Sequence, residues 1–196
     1  MPAITQFCNI KFTMQQNSHQ LLKELESISA KALLTVQSFK TLTSEQLNYR
    51  IHQNSWSILE CLEHLNLYGD FYLPEMERAI LTSKSTAVPE FKSGILGNYF
   101  AELMRAEKNK KMASPKDKNP IHSDLSETAI LRFEKQTERL RHILQLSEKV
   151  NLNQVKCGIS LSRFIRLKLG DTLRFYIYHI DRHVQQANRI RQTQEF

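Results

Sequence analysis

The chain is poor in glycine and proline, with five of each in 196 residues. All-β architectures need many turns built on those residues, so that class is disfavoured and helices are expected. Cysteine is scarce too. Cys8, Cys61 and Cys157 are scattered without a C-x-x-C spacing. That pattern argues against a disulfide framework or a cysteine-built zinc site, and for free thiols in a reducing compartment. No stretch approaches the roughly 20 apolar residues of a membrane helix. Met1 to Lys11 has no basic start followed by an apolar run, so no signal peptide is read and a cytoplasmic protein is expected. The zinc-protease pattern H-E-x-x-H is also missing, since Ile180 follows His179. There is no internal repeat and no convincing strand alternation.

What is present is positive charge and apolar periodicity. The formal net charge is +7, from 27 Lys and Arg against 20 Asp and Glu. Basic chains attract nucleic acid, anionic surfaces or small anions. Much of the excess is local, at Arg105, Lys108, Lys110, Lys111, Lys116 and Lys118. Acidic residues are interspersed there and aromatics do not interleave, so the cluster reads as a solvated loop.

Four long amphipathic segments carry apolar residues at three- and four-residue steps. The first runs from Gln16 to about Lys40, through Leu21, Leu25, Ala32, Val36 and Phe39. A short helical turn follows at Leu42 to Leu47. The second opens at Trp56-Ser57, where Ser57 and Glu60 form a capping box and Trp56 is placed to staple against Cys61. It continues to Leu81, with Pro74 as a kink or break. The third starts at Asp124 with a cap-like Glu127 and ends near Glu148. The fourth is capped by Gly170-Asp171-Thr172-Leu173 and runs past Ile190. Residues 83–122 form a long connection punctuated by prolines, with one short helix expected at Ile95 to Glu107. Residues 149–170 form a second connection, with a helical turn at Leu161 to Leu167. The expected fold is all-α: a four-helix bundle with long connections, in one domain over residues 15–196 after an N-terminal extension over 1–14.

The fourth segment carries the most chemistry. His179 and His183 are one helical turn apart on one face, and two such imidazoles suit one divalent metal. His64 on the second helix is the candidate third ligand. Both stripes are largely apolar, so these rings face the interior or a cleft. There they need partners: a metal, or hydrogen bonds to carbonyls and carboxylates. Both readings are open from spacing alone. Tyr68, Tyr176 and Gln186 are candidate cleft-lining residues. Glu60 is used by its cap, Glu63 is expected at the surface, and Asp181 is expected to pair with a surface arginine. His19, His52, His122 and His142 read as cap, loop or surface residues, and Cys61 as a small buried hydrophobe.

The segment Trp56-Ser57-x-x-Glu60-x-x-x-His64-Leu65 resembles the opening of the second helix in the DinB-like (DNA-damage-inducible) family of metal-dependent enzymes. The run His179-x-x-x-His183-x-x-Gln186, after Gly170-Asp171-x-Leu173, is similar to that family's last helix. The resemblance spans about residues 15–192 and is loose around Lys111 to Pro120. It implies an up-down-down-up four-helix bundle with a divalent metal, zinc or nickel, on His64, His179 and His183. It also implies a homodimer and kinship with bacillithiol S-transferases and mycothiol-dependent maleylpyruvate isomerases. The function expected on that basis is thiol (S-)transfer or hydrolysis on a small molecule, with a low-molecular-weight thiol as cosubstrate. The competing readings are a non-catalytic metal-binding or structural bundle and, less favoured, a basic nucleic-acid-associated protein.

Overall fold

The computed structural model describes residues 14–105 and 114–194. The proposed N-terminal extension, apart from Met14, and part of the basic cluster (Lys108, Lys110, Lys111) lie outside the described residues.

Asn17 opens the first long helix, α1 (Ser18–Ser38), by accepting from the amide of Gln20 at 3.0 Å. A 3-10 turn at Phe39–Thr41 leads to α2 (Ser44–Asn48), started by a Thr43/Gln46 capping box. The second long helix, α3 (Ile58–Leu81), begins with the Ser57/Glu60 capping box read from the sequence, and it runs unbroken through Pro74. After α4 (Ile95–Met104) and a 3-10 turn at Lys116–Lys118 come α5 (Thr128–Ser147) and α6 (Leu169–Gln192). The chain packs α3 against both α5 and α6, and α1 against the same two helices, so α1 and α3 stand at opposite corners of a four-helix bundle. Leu25, Val36, Ile58, Leu62, Met76, Ile130, Leu140, Ile143, Leu173 and Ile177 fill the centre. Among the described residues no helix is long and apolar enough to cross a membrane.

Three local expectations are corrected. Strands do occur: β1 (Gln15–Asn17) pairs antiparallel with β2 (Glu90–Lys92), and β3 (Lys156–Ile159) with β4 (Ser162–Lys168). The expected helical turn at Leu161 to Leu167 is thus half of a hairpin. Its alternation is hidden because Arg163, Phe164, Ile165 and Arg166 are all exposed, so apolar residues fall on both faces. The third long helix starts at Thr128, and Glu127 makes no side-chain cap bond. The fourth starts at Leu169, and Asp171 does not cap it. Its carboxylate instead accepts from the Gly94 amide, 2.8 Å away at the start of α4. Gly97 permits this approach, since a Cβ there would stand 2.3 Å from Asp171 Oδ2.

Glu60 does more than cap. Its carboxylate accepts from the Ser57 amide (2.7 Å), from Arg50 through Nε and a terminal nitrogen (2.9 and 2.7 Å), and from the His122 amide (2.5 Å). One buried carboxylate thereby ties the segment before α3, the helix start and the loop before α5. Burial works to raise its pKa, but Arg50 and the two amides together hold it below the usual carboxylate range. Its contribution is therefore present above the ordinary carboxylate pKa and lost as pH falls through the folded-state value. Glu60→Gln is expected to cost about 2–3 kcal/mol in urea unfolding at pH 7. The gap from wild type should narrow in acid; an unchanged midpoint at pH 7 would show that the hub carries no stability.

Candidate metal centre

The interface between α3 and α6 is built from two stripes at four-residue spacing. On α3 the stripe is His64, Tyr68, Tyr72, and on α6 it is Phe175, His179, His183. They meet as an antiparallel ladder of rings. His64 pairs with His183 (centroids 4.6 Å apart), Tyr68 with His179 (4.5 Å) and Tyr72 with Phe175 (5.5 Å). The upper two rungs bring the three histidines together, with one ligating nitrogen from each lying within 4.8 Å of the others. His64 and His179 are buried and His183 is partly exposed.

The remaining ring nitrogens decide what the converging ones can do. His64 Nδ1 lies 2.5 Å from the Lys118 carbonyl. A carbonyl only accepts, so Nδ1 carries the proton and Nε2 presents a lone pair. His183 Nδ1 donates to Gln186 Oε1 at 2.9 Å, which leaves its Nε2 bare as well. His64 Nε2 and His179 Nε2 are 3.1 Å apart. Two nitrogens on one tetrahedral zinc stand roughly 3.3 Å apart, so the spacing suits a shared ion. His179 Nδ1 is buried with no hydrogen-bond partner. The donor set therefore fits a borderline-soft divalent metal: neutral imidazoles, two with tautomers fixed from outside.

Electrostatics agree. Burial pushes His64 down to about 4, with the Lys118 carbonyl only partly opposing it. Burial, then the neighbouring His64, pushes His183 down to about 3. Burial and the two neighbouring imidazoles hold His179 well below its ordinary value. All three are neutral imidazoles at pH 7.

A strap from the long connection closes one side. Lys118 supplies the carbonyl to His64 and sends its ammonium to the Leu67 carbonyl (3.1 Å). Asn119 accepts from Trp56 Nε1 at 3.0 Å. The Trp56 ring lies against His64 and His183, at 4.6 and 5.5 Å, so the residue expected to staple the helix start also walls the site. Reading the basic cluster as solvated loop missed Lys118, because a backbone carbonyl leaves no mark in the sequence.

The other candidates divide. Tyr68 touches both His64 (4.9 Å) and His179 (4.5 Å) and borders the centre. Gln186 orients His183. Tyr176 is buried deeper, against Tyr72 and over Gly69, and does not share the ladder. Phe175, four residues before His179, occupies the place expected of Tyr176, stacked on His179 at 6.0 Å and 11°. Glu63 is engaged by Arg132 at 2.8 Å and Asn66 at 3.2 Å. Asp181 accepts from Gln185 at 2.8 Å, where an arginine partner was expected. Cys61 and Cys157 are free, buried thiols, and burial pushes Cys157 up to about 12, so neither is poised to react.

A family model described as the DinB superfamily matches residues 27–187. No curated protein and no solved structure matches the chain.

The depressed histidines make a signed prediction for the metal-free protein. Unfolded histidine titrates near pH 6.5, and the folded values lie lower. Below pH 6.5 the unfolded chain binds more protons, so stability falls as pH falls toward 4, by up to about 1.4 kcal/mol per pH unit for each histidine. Urea midpoints at pH 7.5, 6.0 and 5.0 should decline, and His64→Gln should flatten the decline. Equal slopes in the two proteins would contradict the buried, neutral assignment.

Proposed function

The chain belongs to the DinB superfamily, and on that premise we propose that it is a metal-dependent enzyme whose divalent ion is held by His64, His179 and His183. The observation that carries this reading is the convergence of three neutral imidazoles whose outer nitrogens are already committed to Lys118 and Gln186 or, at His179, left without a partner. Zinc or nickel suits an all-imidazole set. A divalent ion with three such ligands keeps a position open, where it acidifies water toward a pKa of about 7 or deprotonates a thiol.

The proposed reaction is S-transfer from a low-molecular-weight thiol, or hydrolysis, on a small molecule. The chain's own residues have separate tasks in it. The Lys118 carbonyl and Gln186 fix ring orientation and keep the inner nitrogens bare. Trp56 and Phe175 exclude water from two sides. Tyr68, pushed up to about 12 by burial and then by its Tyr72 and Asp117 neighbours, stays protonated at pH 7 and is available as a donor beside the centre. A homodimer is the assembly this reading expects.

The test is metal content by elemental mass spectrometry on protein purified without a nickel column. About one zinc or nickel per chain is expected in the wild type and none in His183→Ala. Gln186→Leu should keep the stoichiometry but bind about 10–100-fold more weakly. Nickel quenching of the single tryptophan, Trp56, reports that affinity. No metal in the wild type, and none taken up on addition, would leave a structural bundle.

A further inference from the structure

The β3–β4 hairpin carries side chains that neither the core nor the histidine centre uses. Its second strand leaves four successive residues exposed, Arg163, Phe164, Ile165 and Arg166, so the bundle covers neither face of that stretch. Phe164 is 82% exposed, and the Arg163 guanidinium lies over its ring at 4.8 Å. Leu161, in the two-residue turn, is 61% exposed, at a place where turn chemistry favours Gly, Asn, Asp or Ser. The helix α4 packs beside β4 and leaves Ile95, Leu96 and Tyr99 exposed. Six of the eleven large apolar side chains exposed among the described residues thus lie on these two neighbouring elements. Single exposed apolar residues are ordinary, but a concentration of them marks a surface that meets something.

The charge around them has one sign. Residues 156–168 hold Lys156, Arg163, Arg166 and Lys168 and no Asp or Glu. Glu75 of α3 meets the hairpin from outside: it lies 3.7 Å from Arg166 and accepts from the Gly158 amide. We propose that the hairpin and the adjoining face of α4 form a docking surface for an anionic lipid bilayer. Shallow entry of Leu161, Phe164 and Ile165 takes apolar area out of water, and the surrounding cations are drawn to anionic headgroups. Arginine and lysine stems can lie along the apolar patch while their heads stay at the phosphates. This mode needs no spanning helix. Two other occupants fit less well. A two-fold contact between copies would set the same cationic patch against itself. A nucleic acid takes aromatic faces for stacking, whereas Leu161, Ile165, Ile95 and Leu96 are aliphatic. The inference does not rest on the histidine centre, whose ligands lie on α3 and α6.

The experiment is cosedimentation of the full chain with vesicles of phosphatidylcholine and with vesicles that also carry phosphatidylserine. Partitioning onto the phosphatidylserine vesicles is expected to be at least about tenfold stronger, and to weaken as salt is raised. Phe164→Asp should lower it by at least about tenfold. Arg163→Glu should reduce the preference for phosphatidylserine. Leu34→Asp, at a leucine of α1 that is 67% exposed, should change neither.

Phe164→Trp keeps the test open if the aspartate variant fails to fold. Its added emission should shift to the blue on phosphatidylserine vesicles and be quenched by bromine on the lipid acyl chains. Trp56 is the single native tryptophan, so the difference from wild type reads position 164. Equal partitioning onto the two vesicles, none onto either, or a Phe164→Asp variant that binds like wild type would overturn the proposal. So would self-association, or binding of single-stranded DNA or RNA, that Phe164→Asp abolishes in a protein without vesicle affinity. The surface would then belong to another copy or to a nucleic acid.

Discussion

The site depends on the antiparallel seam between α3 and α6, where residues four apart on one helix meet residues four apart on the other. That seam sets His64 against His183 and Tyr68 against His179, and it does so through bundle packing, not through any loop. Buried imidazoles are costly in an apolar seam unless each nitrogen is satisfied. The chain meets that cost from outside, with the Lys118 carbonyl on one ring and Gln186 on another. What remains is the convergence of the inward nitrogens, with His64 Nε2 3.1 Å from His179 Nε2 and His179 Nδ1 left without a partner. The packing thus assembles a group of three histidines that could hold a metal ion.

Glu60 joins this seam to the rest of the chain. It starts α3 at the register that puts His64 on the inner face one turn later. The same carboxylate holds Arg50 and the His122 amide, which anchors the end of the segment whose earlier part delivers Lys118. His122 adopts a positive φ of 62°, a backbone conformation that costs a non-glycine residue free energy. In that conformation its amide donates to Glu60. Helix start and the end of the strap segment therefore meet at one carboxylate.

Much of this was legible beforehand, and the failures have physical causes. The three histidines stood out because helical periodicity is strong in both stripes and places each on an apolar face. The capping box at Ser57 and Glu60 was legible for the same reason: it is local. Tyr176 and Phe175 illustrate the limit. Both spacings, three and four before His179, are compatible with one helix face, and only the crossing of α3 selects Phe175. The hairpin at Lys156–Lys168 was hidden because its outer strand is exposed on both faces. Lys118 was hidden because it acts through its carbonyl, and Asp171 because its partner, the Gly94 amide, lies on another element.

The central claim is that one ion sits among three imidazoles with room for a further ligand. X-ray absorption at the zinc edge of the zinc-loaded protein tests it most directly. The account predicts a first shell of nitrogen and oxygen only, at about 2.0–2.1 Å, with an outer-shell pattern of three imidazoles, and a sulfur scatterer appearing only when a thiol is added. Sulfur in the first shell of the thiol-free protein, or fewer than three imidazoles around the ion, would contradict it.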